Sequence, residues 1–207
     1  LAADFRIDAG NGRIIDLCAG IGMLGYWCLN FPWESQSHVE LVCVEINPAF
    51  VEIGKKLLPQ ATWICANVFD VPDLNLGHFD MAIANPPFGR VSRHGHTAPR
   101  YNGSEFSYHV IDIASDLADY GAFIIPQGAA PFRYSGVPCY QRQDHRAYKS
   151  FQDQTAIELD AGVGIDTSQF RDQWKGTSPA VEIVCADFIE TRTKRLPDQH
   201  ELFDLAA

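Results

Sequence analysis

Four short stretches of the sequence carry residue types that do chemistry. The first, Phe79–Arg90, runs from an apolar strand end into Asn85-Pro86-Pro87-Phe88 and then Gly89. Two consecutive prolines remove two backbone donors and fix two φ angles, so the strand stops there. Pro86 also holds Asn85 extended. The product is a stiff turn at a strand's carboxyl end that displays an amide, backbone carbonyls and an aromatic face. The Asn85 side-chain oxygen and the Pro86 carbonyl can each accept one hydrogen of an NH2 group while Phe88 stacks on the ring bearing it. Asn85, Pro86, Pro87 and Phe88 are therefore the catalytic candidates, with Phe88 also a substrate contact. Taken alone, the tetrapeptide describes a Pro-Pro loop opened by an Asn turn equally well.

The other three stretches lie upstream. Gly20-x-Gly22-x-x-Gly25 matches the dinucleotide fingerprint, and Glu45 lies 20 residues beyond its last glycine. A pyrophosphate wants bare backbone donors at a helix N-terminus, but Asp16 stands in the strand just before these glycines and would repel it. A carboxylate there favours a cation. S-adenosylmethionine (SAM) fits, because it brings an ammonium, a sulfonium and no phosphate. Glu45 ends the second strand, placed to accept both ribose hydroxyls, and Ile46 can pack on the adenine. Asn67 can hydrogen-bond the adenine amine, with Val68 or Phe69 covering the ring. The plainer alternatives are a capping Asp16, a solvated Glu45 and a turn Asn67.

Asp16-Leu-Cys-Ala-Gly20-Ile-Gly22, Glu45-Ile-Asn-Pro48, Asn67-Val-Phe-Asp70 and Asn85-Pro-Pro-Phe88 come in the order seen in class I SAM-dependent methyltransferases. They resemble the amino-methyltransferases in particular, foremost the adenine-N6 enzymes acting on DNA. The resemblance covers residues 13–126. It implies a Rossmann-like seven-stranded sheet, mostly parallel with a terminal antiparallel hairpin, in which Asp16, Gly20 and Gly22 match the methionine-binding loop, Glu45 the ribose ligand, Asn67 the adenine contact and Asn85–Phe88 the catalytic turn. With the residues read above, the cofactor-binding candidates are Asp16, Ala19, Gly20, Gly22, Glu45, Ile46, Asn67, Val68 and Asn85. Two departures stand out: the family usually has Asp at the position of Asn67, and the segment before the first strand is almost absent. No target-recognition domain is visible, so base-sequence specificity would need a specificity subunit or residues outside this chain.

Strands and helices must hold these stretches in place. Arg13–Cys18, Glu40–Glu45, Ala61–Ala66, Phe79–Ala84 and Ala122–Pro126 read as strands. Asn47-Pro48 opens a helix, an N-cap followed by proline at the first helical position, with Phe50, Ile53 and Leu57 in helical spacing. Ser104 is expected to cap a helix carrying Ile111, Ala114 and Ala118 and ended by Gly121. Thr155–Ala161 and Ala180–Phe188 are expected to pair as neighbouring strands. Alternating strands and helices mean a parallel sheet covered on both faces, and residues 1–207 read as a single methyltransferase domain whose N-terminal segment is expected to be incomplete.

The chain has 207 residues, 46% of them hydrophobic, and no stretch long and apolar enough to span a membrane. Its six cysteines form no C-x-x-C pair; four of them, Cys18, Cys43, Cys65 and Cys185, fall in expected strands and suit buried reduced thiols of a cytoplasmic protein. The His94-Gly95-His96 pair lacks a third ligand, so no metal is expected. Net charge is −10, which at face value argues against nucleic acid. Yet Gly89–Gly103 and Gly128–Ser150 together carry +6, leaving −16 elsewhere. Arg90, Arg93, Arg100 and Arg142, interleaved with Tyr101, Phe132, Tyr134, Tyr140 and Tyr148, are expected to contact a nucleic acid, DNA first. Three readings follow: adenine-N6 methyl transfer; guanine-N2 ribosomal RNA or protein glutamine-N5 methyl transfer; and, more distantly, a nicotinamide oxidoreductase or a binding module.

Overall fold

The computed structural model describes residues 11–30, 38–88, 91–173 and 179–196 of the chain. Among these residues, β1 (Asn11–Asp16), α1 (Met23–Asn30), β2 (His38–Glu45), α2 (Pro48–Leu57), β3 (Thr62–Cys65) and β4 (Phe79–Ala84) form the first half. α3 (Phe106–Leu117), β5 (Ala118–Pro126), the small strands β6 (Phe132–Arg133) and β7 (Gln141–Arg142), α4 (Arg146–Thr155), β8 (Val181–Asp187) and α5 (Phe188–Arg195) follow. The main sheet has the order β3-β2-β1-β4-β5-β8, parallel except for β8, while β6 and β7 pair separately. This is the mostly parallel α/β sheet expected, with its last strand antiparallel.

Side chains alternate across the sheet. Ile15, Val42, Val44, Ala82, Phe123 and Val184 join one buried cluster with α3 and α4, and Ile14, Leu41, Cys43, Met81, Ile83 and Cys185 join the other with α1. β1 lies between β2 and β4, so the order reverses there and the loops after β1 and β4 open side by side at the carboxyl edge. The ladder continues into the first loop: Leu17 N–H donates to the Ile83 carbonyl and Ala19 N–H to the Val44 carbonyl, both at 3.0 Å.

Several expectations are corrected. Asn47 does cap α2, accepting from Ala49 N–H at 3.0 Å, but Phe50, Ile53 and Leu57 face outward, 44–49% exposed. The buried line is Val51, Gly54 and Leu58, because Gly54 lies flat on Trp63; a Cβ there would fall 2.1 Å from the indole. Glu105, not Ser104, precedes α3, and it makes no side-chain cap. The helix ends at Leu117, and Ala118 and Gly121 belong to β5, where Gly121 makes room for Phe123 and Phe188. Thr155 closes α4, and the segment after it touches β8 through the single antiparallel bridge Asp160–Cys185, so the described residues hold six main-sheet strands, not seven. Cys65 is exposed, at the end of β3.

The loop following the Asn-Pro-Pro turn is tied to α3 by one buried carboxylate. Asp112 Oδ2 accepts from the N–H groups of Arg100 (2.7 Å) and Tyr101 (2.9 Å), and Oδ1 accepts from Arg100 Nη1 at 3.1 Å. Removing the carboxylate leaves the N–H groups of Arg100 and Tyr101 without their acceptor, at a cost of about 1–3 kcal/mol, while the Arg100 guanidinium, 32% exposed, keeps Asp116. Asp112→Ala should therefore lower unfolding free energy by about that amount and speed proteolysis within 91–105, measured by urea denaturation and limited digestion.

Candidate active site

The chain leaves β1 at Asp16 and turns through Leu17–Gly22. Gly20 and Gly22 adopt φ of +56° and +94°, a left-handed backbone that glycine enters without steric cost. A Cβ on Gly22 would press on Leu58 and Trp63, whereas one on Gly20 would meet nothing within 4 Å, so the loop is open on that side. Ala19 is 7% exposed. Glu45, at the end of β2, braces the loop: Oε2 accepts from Gly20 N–H and Oε1 from Asn47 N–H, each at 2.8 Å. Each oxygen keeps acceptor capacity for a further donor. Beside it Ile46 is 63% exposed.

Asp16 is fully buried, and the N–H groups of Cys18 and Gly25 approach its carboxylate without completing a hydrogen bond to either oxygen. Burial pushes its carboxyl up to about 7, with the Glu45 charge adding to the rise and the nearby N–H groups of Cys18 and Gly25 offsetting it in part. Such an orphaned carboxylate beneath an open glycine loop wants a cation or a donor. The Cys18 thiol is pushed up by burial and by Asp16 and Glu45, and so stays protonated.

Asn67 caps the 3-10 turn Val68–Leu74, its Oδ1 accepting from Phe69 N–H at 3.2 Å. The turn role is thus present, and its Nδ2 has no partner among the described residues. Val68 is buried beneath it. Phe69 packs instead against Phe106, His96 and His109, with ring centroids 5.6–5.9 Å apart, so its ring is held within the protein. At the end of β4, Asn85 and Pro87 are exposed, Pro86 is buried and Phe88 is half-buried. Asn85 lines an apolar cavity of about 210 Å³ formed with Ile124, Ile165, Phe170, Val181 and Ile183.

The expected substrate arginines part company. Arg90 lies outside the described residues. Arg100 is bound to Asp112 and to Asp116 (2.8 Å), so its charge is neutralised internally. Arg93 sits against His109, whose Nδ1 accepts from Ala98 N–H, leaving Nε2–H to donate to the Gly103 carbonyl. Burial lowers the His109 pKa, so this ring is neutral. Arg142 is exposed on β7 and lines a separate cavity. Of the interleaved aromatics, Tyr101 and Phe132 are buried, Tyr134 and Tyr148 are half-buried, and Tyr140 is 52% exposed. The base-stacking role expected of all five is therefore open only to Tyr140.

Three buried polar residues escaped the sequence reading: His109 and Asp112, which fix the loop after the Asn-Pro-Pro turn, and Glu182. Glu182 accepts from Ser135 Oγ (2.8 Å) and from the N–H groups of Tyr134 and Ser135, pinning the chain beyond β5 against β8. A charged residue inside an apolar run was the available signal.

A family profile described as the methyltransferase small domain matches residues 2–99. No curated protein matches the sequence. Among solved structures, the chain is similar to a candidate class I SAM-dependent methyltransferase from Listeria monocytogenes (TM-score 0.61, 13% identity, 90% of this chain and 56% of that one). It is also similar to a type I restriction-modification methyltransferase subunit from Streptococcus thermophilus (0.58, 16%, 89% and 42%). A third is a candidate RNA methyltransferase from Pyrococcus horikoshii (0.53, 16%, 90% and 79%). The chain thus spans 56% of the Listeria protein's length. These likenesses establish the Rossmann-like class I methyltransferase fold, and with the profile match they support SAM as the cofactor.

Between pH 3.8 and about 7 folded Asp16 holds a proton that the unfolded chain has released. Stability therefore falls as pH rises through that window and has lost the full contribution above it. Asp16→Asn should gain about 2–4 kcal/mol over wild type at pH 8 and nothing at pH 4, read by urea denaturation without cofactor. Equal effects at both pH values would mean that the carboxylate is already compensated.

Proposed function

We propose that the protein is a SAM-dependent methyltransferase that moves a methyl group to an exocyclic amine, adenine N6 of DNA first among the acceptors. The observation that carries this reading is the fully buried, partnerless Asp16 carboxylate under the open Gly20 loop. It fits the ammonium of the cofactor's methionine end and would repel a dinucleotide's phosphates. Ala19, Gly20 and Gly22 give the loop its shape, and Glu45 takes the ribose hydroxyls with its spare acceptor capacity. Ile46, Val68 and Asn67 receive the adenine, the last through its free Nδ2 in place of the acid usual at that position.

Bound SAM supplies an activated methyl on sulfur. The chain's own work is to align the acceptor. An aromatic amine delocalises its lone pair into the ring. Accepting its two N–H hydrogens at the Asn85 Oδ1 and the Pro86 carbonyl favours a geometry in which the lone pair is available, and Phe88 stacks on the ring. The sulfur of SAM would keep the electron pair of the broken C–S bond, and the nitrogen's extra proton would leave to solvent, so no tuned general base is needed. The cavity beside Asn85, at about 210 Å³, is below the 300 Å³ or so of common small-molecule pockets. Of the four turn residues only Asn85 lines it, and a duplex base must flip out of the stack to reach Asn85.

Incubation with labelled SAM plus DNA, RNA or protein, followed by nucleoside mass spectrometry, identifies the acceptor; label in guanine N2 or in glutamine would move the reading to those acceptors. Titration with SAM and with NADH separates transferase from oxidoreductase. Glu45→Ala should weaken SAM binding by about 1.5–3 kcal/mol, the scale of hydrogen bonds to a charged group. Unchanged affinity in the folded variant removes Glu45 from the site. Asn85→Ala should leave SAM affinity within a few-fold of wild type and slow single-turnover transfer by at least about a hundredfold. Equal loss of SAM binding would make Asn85 structural.

A further inference from the structure

We propose that the cavity between the β6–β7 hairpin and the first turns of α4 is a phosphate-backbone subsite for a nucleic acid strand; this rests on the reading above that the acceptor belongs to a nucleic acid. The cavity measures about 740 Å³ and is lined by Arg142, Arg146 and Lys149 together with Tyr140 and Tyr148.

The gathering of three unpaired cations in one cavity carries the assignment. Six described cations elsewhere are matched: Arg13 with Glu40, Lys55 with Glu52, Arg100 with Asp112 and Asp116, Arg192 with Asp119, Lys194 with Glu158 and Glu190, and Arg195 with Asp116. Lys56, Arg93 and Arg133 form no ion pair among the described residues, but none of them lines this cavity. In a chain of net charge −10 carboxylates are abundant. Arg142, Arg146 and Lys149 nevertheless form no ion pair among the described residues, although Asp144 and Asp153 line the same cavity and Glu158 there is held by Lys194. Arg146 and Lys149 also stand in the first turn of α4, where the helix dipole disfavours positive charge. An external anion satisfies all three.

The cavity is far larger than one phosphate. Tyr140 is exposed, and its ring is braced by Phe132, with centroids 5.5 Å apart and planes 26° apart. That gives a flat face for a base beside the phosphate contacts. The hairpin follows the carboxyl end of β5, the edge that also carries Asn85, so a strand gripped here runs toward the catalytic turn. The subsite therefore lies on the β6–β7–α4 surface, while Arg100 takes no part.

The test is fluorescence anisotropy of a labelled single-stranded oligonucleotide across a salt series, without cofactor. R142Q/R146Q/K149Q should bind at least tenfold more weakly, and its slope of log K against log salt should be shallower by about 2, at roughly 0.7 for each phosphate no longer neutralised. A control triple with the same charge change, K55Q/K56Q/K194Q, should stay within twofold of wild type, and SAM affinity with thermal melting checks the fold of both. An unaltered slope, or equal weakening in the control, overturns the subsite. So does wild-type protein that ignores oligonucleotide but binds an acidic peptide through these three residues. If the oligonucleotide result holds but no methyl transfer is ever detected, the subsite stands and the transferase reading falls. If transfer to nucleic acid occurs and the triple variant binds like wild type, the reverse is true.

Discussion

β1 has a parallel neighbour on each side, β2 and β4, and the crossovers that follow β1 and β4 leave over opposite faces of the sheet. α1 covers the face of Ile14, Leu41 and Cys43, while α3 covers that of Ala82, Phe123 and Val184. Right-handed crossovers permit nothing else once the order reverses at β1. A crevice is therefore built into the strand order before any side chain is chosen. Asp16, Glu45 and Asn85 sit at the last residue of β1, the last of β2 and the first beyond β4. Backbone connectivity brings these three together at one edge, although they are far apart in sequence.

That placement has a thermodynamic consequence. A carboxylate buried without a partner works against folding, and the sheet has enough apolar burial on both faces to tolerate it. The loop above it is kept rigid by the β1–β4 and β1–β2 hydrogen bonds that run on into Leu17 and Ala19, and by Glu45 beneath Gly20. The protein thus holds its strain at the crevice and its rigidity around it. Beyond the Asn-Pro-Pro turn the arrangement is similar: buried Asp112 and neutral His109 on α3 hold the 98–103 loop from below.

Much of the fold could be read from the chain because the apolar strands and their punctuation coincide: Asn47-Pro48 starts a helix and Pro86-Pro87 ends a strand. The helix α5, capped by Asp187, was not read from it. Expectation and structure diverge where a residue's absence of side chain was the signal. Gly54 hid the buried line of α2 behind the more conspicuous Phe50, Ile53 and Leu57. Gly121 looked like a helix stop but makes space for two phenylalanines. The loop arginines were misjudged for a different reason. Charge counted along the chain cannot tell Arg100, which meets Asp112 and Asp116 on the next helix, from Arg142, which meets no acid. Pairing is a tertiary fact, as is the burial of Tyr101 against Tyr108 and Phe151.

α5, the last helix described, reaches back to the middle of the chain. Arg195 donates to the Thr155 carbonyl (2.8 Å) and to Ser115 Oγ (3.1 Å), and it lies 3.4 Å from Asp116, the acid that also holds Arg100. β8 in turn pairs along β5 from Tyr120 to Pro126. During synthesis the residues of the crevice emerge from the ribosome well before these closing contacts exist. Contacts of such high sequence separation form late. The nascent chain thus carries the Asp16, Glu45 and Asn85 stretches long before β8 and α5, which brace the sheet behind them, have been made.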